Sequence, residues 1–309
     1  MKNREQYIGV NSIDFNRYFQ SEDDCYRYLS AVKWTDDNSY KCKKCGHLKY
    51  GRGKKPYSRR CAKCNYDESP TTGTMFDKIK FSLFVAFHIC FKISTKKKGM
   101  SSLELSEEFS LRQMTVWQFK WKIQQAMASS LQHKLTGLVH IDEFLIGEYE
   151  TGKTGRSADS KKKLVIVALE ILDGKGGVGR AYAQVIDRAS SKCFRPFFEA
   201  YISRNAHIIT DEWKGYLPLK KDYPKLEQVP SDKGKNFKEL HIHIMNIQSW
   251  LRGIHHHCSK ERLQGYLDEY HFRYNRRVFI GSIFDLLIER MVFNKPIRLN
   301  NPKIRIREK

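Results

Sequence analysis

Along the first 135 residues apolar positions recur with a helical period, and from about residue 136 they gather into short runs with the length of strands. Residues 13–33, IDFNRYFQSEDDCYRYLSAVK, predict one or two short amphipathic helices, with Ser21 placed as a cap ahead of acids in the first turn. Residues 79–94 predict a buried helix. Two capping boxes come next, Ser101 with Glu104 and Ser110 with Gln113, nine residues apart. They predict two helices joined by a turn, the pattern of a helix-turn-helix. Val116, Phe119, Ile123 and Met127 would form the core stripe of the second helix, leaving Arg112, Gln113, Thr115, Gln118 and Lys122 available to a groove. A plain helical connector would show the same pattern.

Beyond residue 136 the stretches LVHID (138–142), KKLVIVALEIL (162–172) and AYAQVID (181–187) predict a three-stranded meander, the last two joined by a glycine-rich turn. A helix near 191–204 and a fourth strand, AHIITD (206–211), come next. Residues 240–254 then carry Leu240, Ile244, Ile247, Leu251 and Ile254 at spacings of four, three, four and three. One helical face is therefore core, and the neighbouring face presents His243, Asn246 and Trp250. Three strands, a helix, a strand and then helices is the order of a ribonuclease H-like α/β domain, a mixed sheet flanked by helices, in which acids gather at strand ends. The expected organisation is N-terminal helices over 1–38, a cysteine-bearing module over 39–70, a helical region over 71–135, the α/β domain over 136–290 and a tail over 291–309.

Charge narrows the partners. The formal net charge is +22, from 56 Lys and Arg against 34 Asp and Glu, which favours a polyanion, nucleic acid first. The N-terminal residues lack the apolar core of a signal peptide, and the longest apolar run, KFSLFVAFHICFKI, is broken by Lys, Ser and His, so no membrane role and a cytoplasmic location are expected. In a reducing compartment the cysteines point to metal rather than disulfides. Cys42 and Cys45, then Cys61 and Cys64, give C-x2-C, fifteen residues, C-x2-C. That is zinc-ribbon spacing, four thiolates for one structural Zn2+. Lys41 to Lys63 contains ten Lys or Arg and no acid, so Lys43, Lys44, Arg59 and Arg60 are candidates for phosphate contact. The tail NKPIRLNNPKIRIREK is expected to be an extended basic arm.

Residues 147–154, GEYETGKT, match G-x4-G-K-T after a strand. A phosphate-binding loop must open into a helix whose amides hold the phosphates, yet the chain continues here as GRSADSKKK and another strand. The segment reads as a hairpin connection.

Two strands end in acids: LVHIDEFLIG in Asp142 and Glu143, HIITDEWKGY in Asp211 and Glu212. Neighbours on a regular strand point to opposite faces, so the aspartates and glutamates should part company. A pair of aspartates invites a divalent metal, and a third group is expected on the helix beyond. Asn246 lies 35 positions after Asp211. His243, one turn earlier, is a weaker candidate.

The C-x2-C pairs, HIDEFLIG, ITDEWKGY, HIHIMNIQSWLRGIHHHCS and LQGYLDEYHFRYNRR, in this order over residues 13–285, resemble the insertion-sequence transposases of the ISXO2-like (IS1595) family. The resemblance implies a DNA transposase that binds the terminal inverted repeats of its element, cuts there and joins the 3′ ends to target DNA, acting as a homodimer or higher assembly on the nucleoid of a prokaryote. It assigns the catalytic and metal-binding roles to Asp142, Asp211 and Asn246, with asparagine in place of the third acid. Two Mg2+ or Mn2+ ions would be bridged by the aspartates. Arg252, Arg276 and Arg277, in the last two motifs, join the candidates for DNA contact. A DNA-binding regulator with decayed catalysis is the alternative.

Overall fold

A computed structural model of the chain describes residues 4–35, 40–147, 162–172, 177–255 and 258–295. In chain order these form helices α1 (Ser12–Tyr18) and α2 (Glu22–Lys33), strands β1 (Tyr50–Arg52), β2 (Arg59–Cys61) and β3 (Asp67–Glu68), and helices α3 (Leu83–Thr95), α4 (Ser102–Glu108) and α5 (Gln113–Met127). Then come β4 (Leu138–Ile146), β5 (Lys163–Leu172), β6 (Gly177–Ile186), α6 (Ser191–Tyr201), β7 (His207–Thr210), β8 (Leu226–Gln228), α7 (Lys238–Ile254), α8 (Lys260–Tyr274) and α9 (Ile283–Phe293). Two compact units result, one of residues 1–96, 102–126 and 280–309, the other of 97–101 and 127–279.

In the first unit Ser21 caps α2 as expected: its hydroxyl takes the Asp24 amide while the Asp24 carboxylate takes the Ser21 amide, the reciprocal pair of a capping box. Phe15, Phe19, Phe87, Phe91 and Phe284 stack or meet edge to face around Tyr7 and Tyr28. Asp285 of α9 closes this aromatic core by accepting from Arg4 and from the Tyr28 hydroxyl. The α9 segment therefore packs with the N-terminal helices, although the sequence pattern runs it into the α/β domain. An amphipathic helix carries no mark of which apolar core it joins.

The pair α4–α5 also departs in one detail. Ser110 does not cap α5. It sits at φ 49° and ends α4, with its amide on Glu107 O and the Leu111 amide on Ser106 O, the two bonds of a Schellman turn. Val116, Phe119, Ile123 and Met127 are buried as the stripe predicts.

The second unit is a five-stranded mixed sheet in the order β6-β5-β4-β7-β8. β4, β5 and β6 are antiparallel, while β7 runs parallel to β4 and β8 parallel to β7. The short β8 has no counterpart in the apolar pattern. Side chains of β4 alternate: Val139 and Ile141 enter a core with Phe194, Phe197 and Phe198 of α6, whereas Phe144 enters one with Leu240, Ile244, Ile247 and Leu251 of α7. The stripe read from 240–254 is this buried face. Edge strand β6 is shielded by α8 and the turn after it: Asn275 bonds both backbone groups of Ala181, and Gln264 takes Val185 N and reaches Ala183 O. Capping those groups removes a template for adding a foreign strand. The G-x4-G-K-T segment falls largely outside the described residues; the flanking β4 and β5 pair in antiparallel register from Ile146 and Lys163 inward. No helix among the described residues is long and apolar enough to cross a membrane.

Candidate metal centres

The four predicted thiols converge. Cys42, Cys45, Cys61 and Cys64 bring their sulfurs within 4.8 Å of one another, with Cys42–Cys64 at 3.6 Å and Cys45–Cys61 at 3.5 Å. Disulfides have sulfurs about 2.05 Å apart. A tetrahedral zinc with bonds of about 2.3 Å sets its thiolates roughly 3.8 Å apart, so the set fits the ion. Each pair sits on a tight turn: Gly46 N bonds Cys42 O and Asn65 N bonds Cys61 O, with Gly46 and Asn65 in left-handed conformations. Burial opposes the Cys42 thiolate, but the amides of Cys45 and Lys44 point at its sulfur and bring the thiol down to about 6. Cys61 repeats the arrangement with the amides of Cys64 and Lys63, and its pKa is likewise lowered. Such amide nests favour the charged ligand a zinc requires.

The basic residues around this centre divide. Arg59 lies over the rings of Tyr50 at 4.0 Å and Trp34 at 4.7 Å, so the fold uses its guanidinium in packing. Lys43 donates to Thr72 O and approaches Glu68. Lys44 is exposed and Arg60 half-buried.

The acids lie on the other unit. β4 and β7 pair in parallel with Ile141 opposite Thr210, so Asp142 and Asp211 come next at the same level on adjacent chains and aim to the same face, the one α7 covers. Glu143 points through to the opposite face, where it is buried against Tyr216. The alternation expected of a strand thus separates it from the aspartates. Glu212 is exposed. Asp211 is fixed by a local turn: its carboxylate accepts the Trp213 amide at 3.1 Å, and Gln228 of β8 donates to both Asp211 O and Trp213 O. Trp213 is anchored through Nε1 to Ala189 O. Tyr216 is buried in the core below the turn.

Burial lifts the Asp142 carboxyl above the usual carboxylate range. The amide of Glu143, at 2.7 Å, draws it back, the Asp211 charge adds to the lift and a bond to His241 opposes it. Two like charges held together on one face suit a divalent cation, which would relieve their repulsion. They are not gathered as the thiols are; among the described residues the four cysteines are the set of three or more such groups drawn to mutual ligand distance. An open pair fits Mg2+ or Mn2+, which keep several waters and use one or two carboxylates together with substrate phosphate.

Helix α7 departs from expectation. His243 is buried and turned to α8, its Nε2 3.2 Å from Nε2 of His271; burial first, then His271, drives its pKa down to about 2. Asn246 is exposed. Instead His241 meets Asp142, with Nε2 3.3 Å from Asp142 Oδ2, while Gln248, two turns on along the same flank, bonds Leu145 O. Asn246 lies five residues beyond His241, about 140° round the helix at 3.6 residues per turn. The structure therefore does not bring it to Asp142. The stripe has two flanks, and which one faces the acids depends on where α8 packs.

Among the remaining candidates for DNA contact, Arg112 and Gln113 are exposed at the start of α5. Lys122 is turned inward, its ammonium donating to Met75 O and Asp77 O, and burial lowers its pKa. Arg252 is exposed. Arg276 lies over Phe272 and bonds its carbonyl, and Arg277 bonds Gly179 O on edge strand β6. Both arginines thus brace the fold. Glu269 and Arg273, one turn apart on α8, form a buried ion pair at 2.7 Å. His256, His257 and the tail from 296 lie outside the described residues.

Compared with known proteins, residues 134–275 match the family model of the ISXO2-like transposase domain. A search of curated proteins gave no significant match.

Proposed function

We propose, from the premise that residues 134–275 are an ISXO2-like transposase domain, that Asp142 and Asp211 form the metal-dependent centre of a DNA transposase. The carrying observation is that each follows directly on a matched pair, Ile141 and Thr210, of two adjacent parallel strands, so that both aim to one face. Strand order β6-β5-β4-β7-β8, antiparallel through the first three and parallel thereafter, supports the ribonuclease H-like reading of this unit. Its β4 is central and bears the first acid. A loop end beside it bears the second.

Bound there, one or two Mg2+ or Mn2+ ions would supply Lewis-acid activation of the attacking oxygen and charge stabilisation at the leaving 3′-oxygen. The chain's own part is to hold the donors. Gln228 and the Trp213 amide fix the Asp211 turn, and the Glu143 amide fixes one oxygen of Asp142, so neither carboxylate must reorganise when DNA arrives. DNA binding itself rests on the +22 charge, with exposed Lys44, Arg112, Gln113 and Arg252 the best-placed groups. The α4–α5 pair would present Arg112 and Gln113 at the N-terminus of its second helix, as a helix-turn-helix does. Two transposon ends must be processed together, so the working form is a dimer or larger assembly on DNA.

The test is strand cleavage and joining on DNA carrying the terminal repeats. Asp142→Asn and Asp211→Asn should each abolish both reactions while end binding persists. End binding by the native protein without either reaction would instead mark a DNA-binding regulator.

A further inference from the structure

We propose that His241, and not Asn246, is the α7 residue that completes the metal site, so that the centre is two carboxylates and an imidazole. The inference rests on the functional reading above and names a ligand it lacks. Its first support is the distance: His241 Nε2 and Asp142 Oδ2 are 3.3 Å apart. Two adjacent ligands of an octahedral ion with bonds of about 2.1 Å lie about 3.0 Å apart, so small side-chain adjustments would put a cation in contact with both.

A second, independent support lies behind the ring. Gly234, at φ 89°, is packed so that a Cβ there would fall 2.4 Å from His241 Nδ1. Any other residue would displace the imidazole, and the left-handed backbone is itself costly for a side chain. The chain thus leaves a cradle for the ring on one side and sets Asp142 on the other. His241 is 37% exposed, which leaves Nε2 reachable by solvent and by an ion, in contrast with buried His243. Asn246, exposed and about 140° away around α7, is free to meet DNA.

Chemistry then sets a preference. Imidazole suits transition metals, whereas Mg2+ is bound almost wholly by oxygen. A histidine ligand therefore predicts stronger binding of Mn2+ than of Mg2+, and a direct Mn–N bond.

The experiment uses the full chain with its zinc loaded and Mn2+ as the probe, read by pulsed electron paramagnetic resonance. Wild-type protein should show nitrogen coupling to Mn2+ that changes character when histidine is labelled with 15N. The coupling should vanish in His241→Ala and in the milder His241→Gln, with Mn2+ affinity falling about tenfold or more. Asn246→Ala should retain both coupling and affinity. Bound Mn2+ without histidine coupling in the wild type, or with coupling intact in His241→Gln, overturns the assignment. The underlying reading fails separately: Mn2+ binding unchanged by Asp142→Asn would remove the metal site itself.

Discussion

The two candidate metal centres of this chain are built on opposite plans. The cysteine centre is closed: four sulfurs sit within 4.8 Å of one another, and amide nests favour thiolate at Cys42 and Cys61. The aspartate pair is open: two carboxylates share a face, one is lifted by burial, and His241 stands 3.3 Å from Asp142, so a cation bound there would leave positions for water and DNA. A closed set holds structure together, whereas an open one keeps positions for reactants. The geometry of the donors thus suits the first set to a structural zinc, and the second to the divalent cation proposed above.

The largest effects come from breaking each plan. Removal of zinc with a strong chelator, or Cys61→Ser, should unfold the ribbon over residues 40–68, because three short strands and a small aromatic cluster cannot hold it alone. Protection of these amides against hydrogen exchange should disappear while the sheet of the second unit keeps its own. Zinc analysis should return about one ion per chain beforehand. Asp211→Asn should leave folding intact and lower joining activity below detection, since Asp211 is one of the two carboxylates on which the proposed site rests.

Intermediate effects concern DNA. Arg112→Ala and Lys44→Ala should each weaken duplex binding and reduce the slope of log affinity against log salt by about 0.9 per lost phosphate contact. Lys122→Ala should hardly change that slope. Its ammonium serves Met75 O and Asp77 O, so the loss should appear as a lower unfolding midpoint, by about 1 kcal/mol in stability.

The smallest effect is acid sensitivity of the second unit, where a buried histidine and a half-buried aspartate of α8 oppose each other. Burial lowers His271 to about 4, so the folded form resists a proton that the unfolded chain accepts below about 6.5. Its contribution is full above about 6.5 and is lost as pH falls toward 4. Burial raises Asp268 to about 6, so the folded form holds a proton that the unfolded chain releases above about 3.9. That contribution is full below about 3.9 and is lost as pH rises through 6. Asp268→Asn should therefore steepen the loss of stability between pH 6.5 and 4, measured by urea midpoints. An unchanged pH slope would show that the two groups do not titrate as their burial dictates.

Much of this contrast is legible in the sequence, and the reasons differ by site. The cysteine spacing locates all four thiols because a C-x2-C turn determines its own geometry. The aspartates, and the parting of Glu143 from Asp142, come from strand alternation. The stripe on α7 marks its buried face, but not which flank meets β4; that depends on α8, whose packing no local pattern records. Periodicity alone therefore favours His243 and Asn246 and passes over His241, although it stands two residues from His243 in the same HIH run. Lys122 and Arg59 read as DNA contacts because composition registers charge and not the carbonyls or rings that charge meets.

Asp142 is proposed to take part in metal-dependent joining of DNA ends. The most direct measurement incubates the protein and Asp142→Asn side by side with DNA carrying the element's terminal repeats and Mg2+ or Mn2+, scoring joined product and end binding together. The native chain should give joined product and the variant none, with equal end binding by both. Native-level joining by Asp142→Asn would contradict this role.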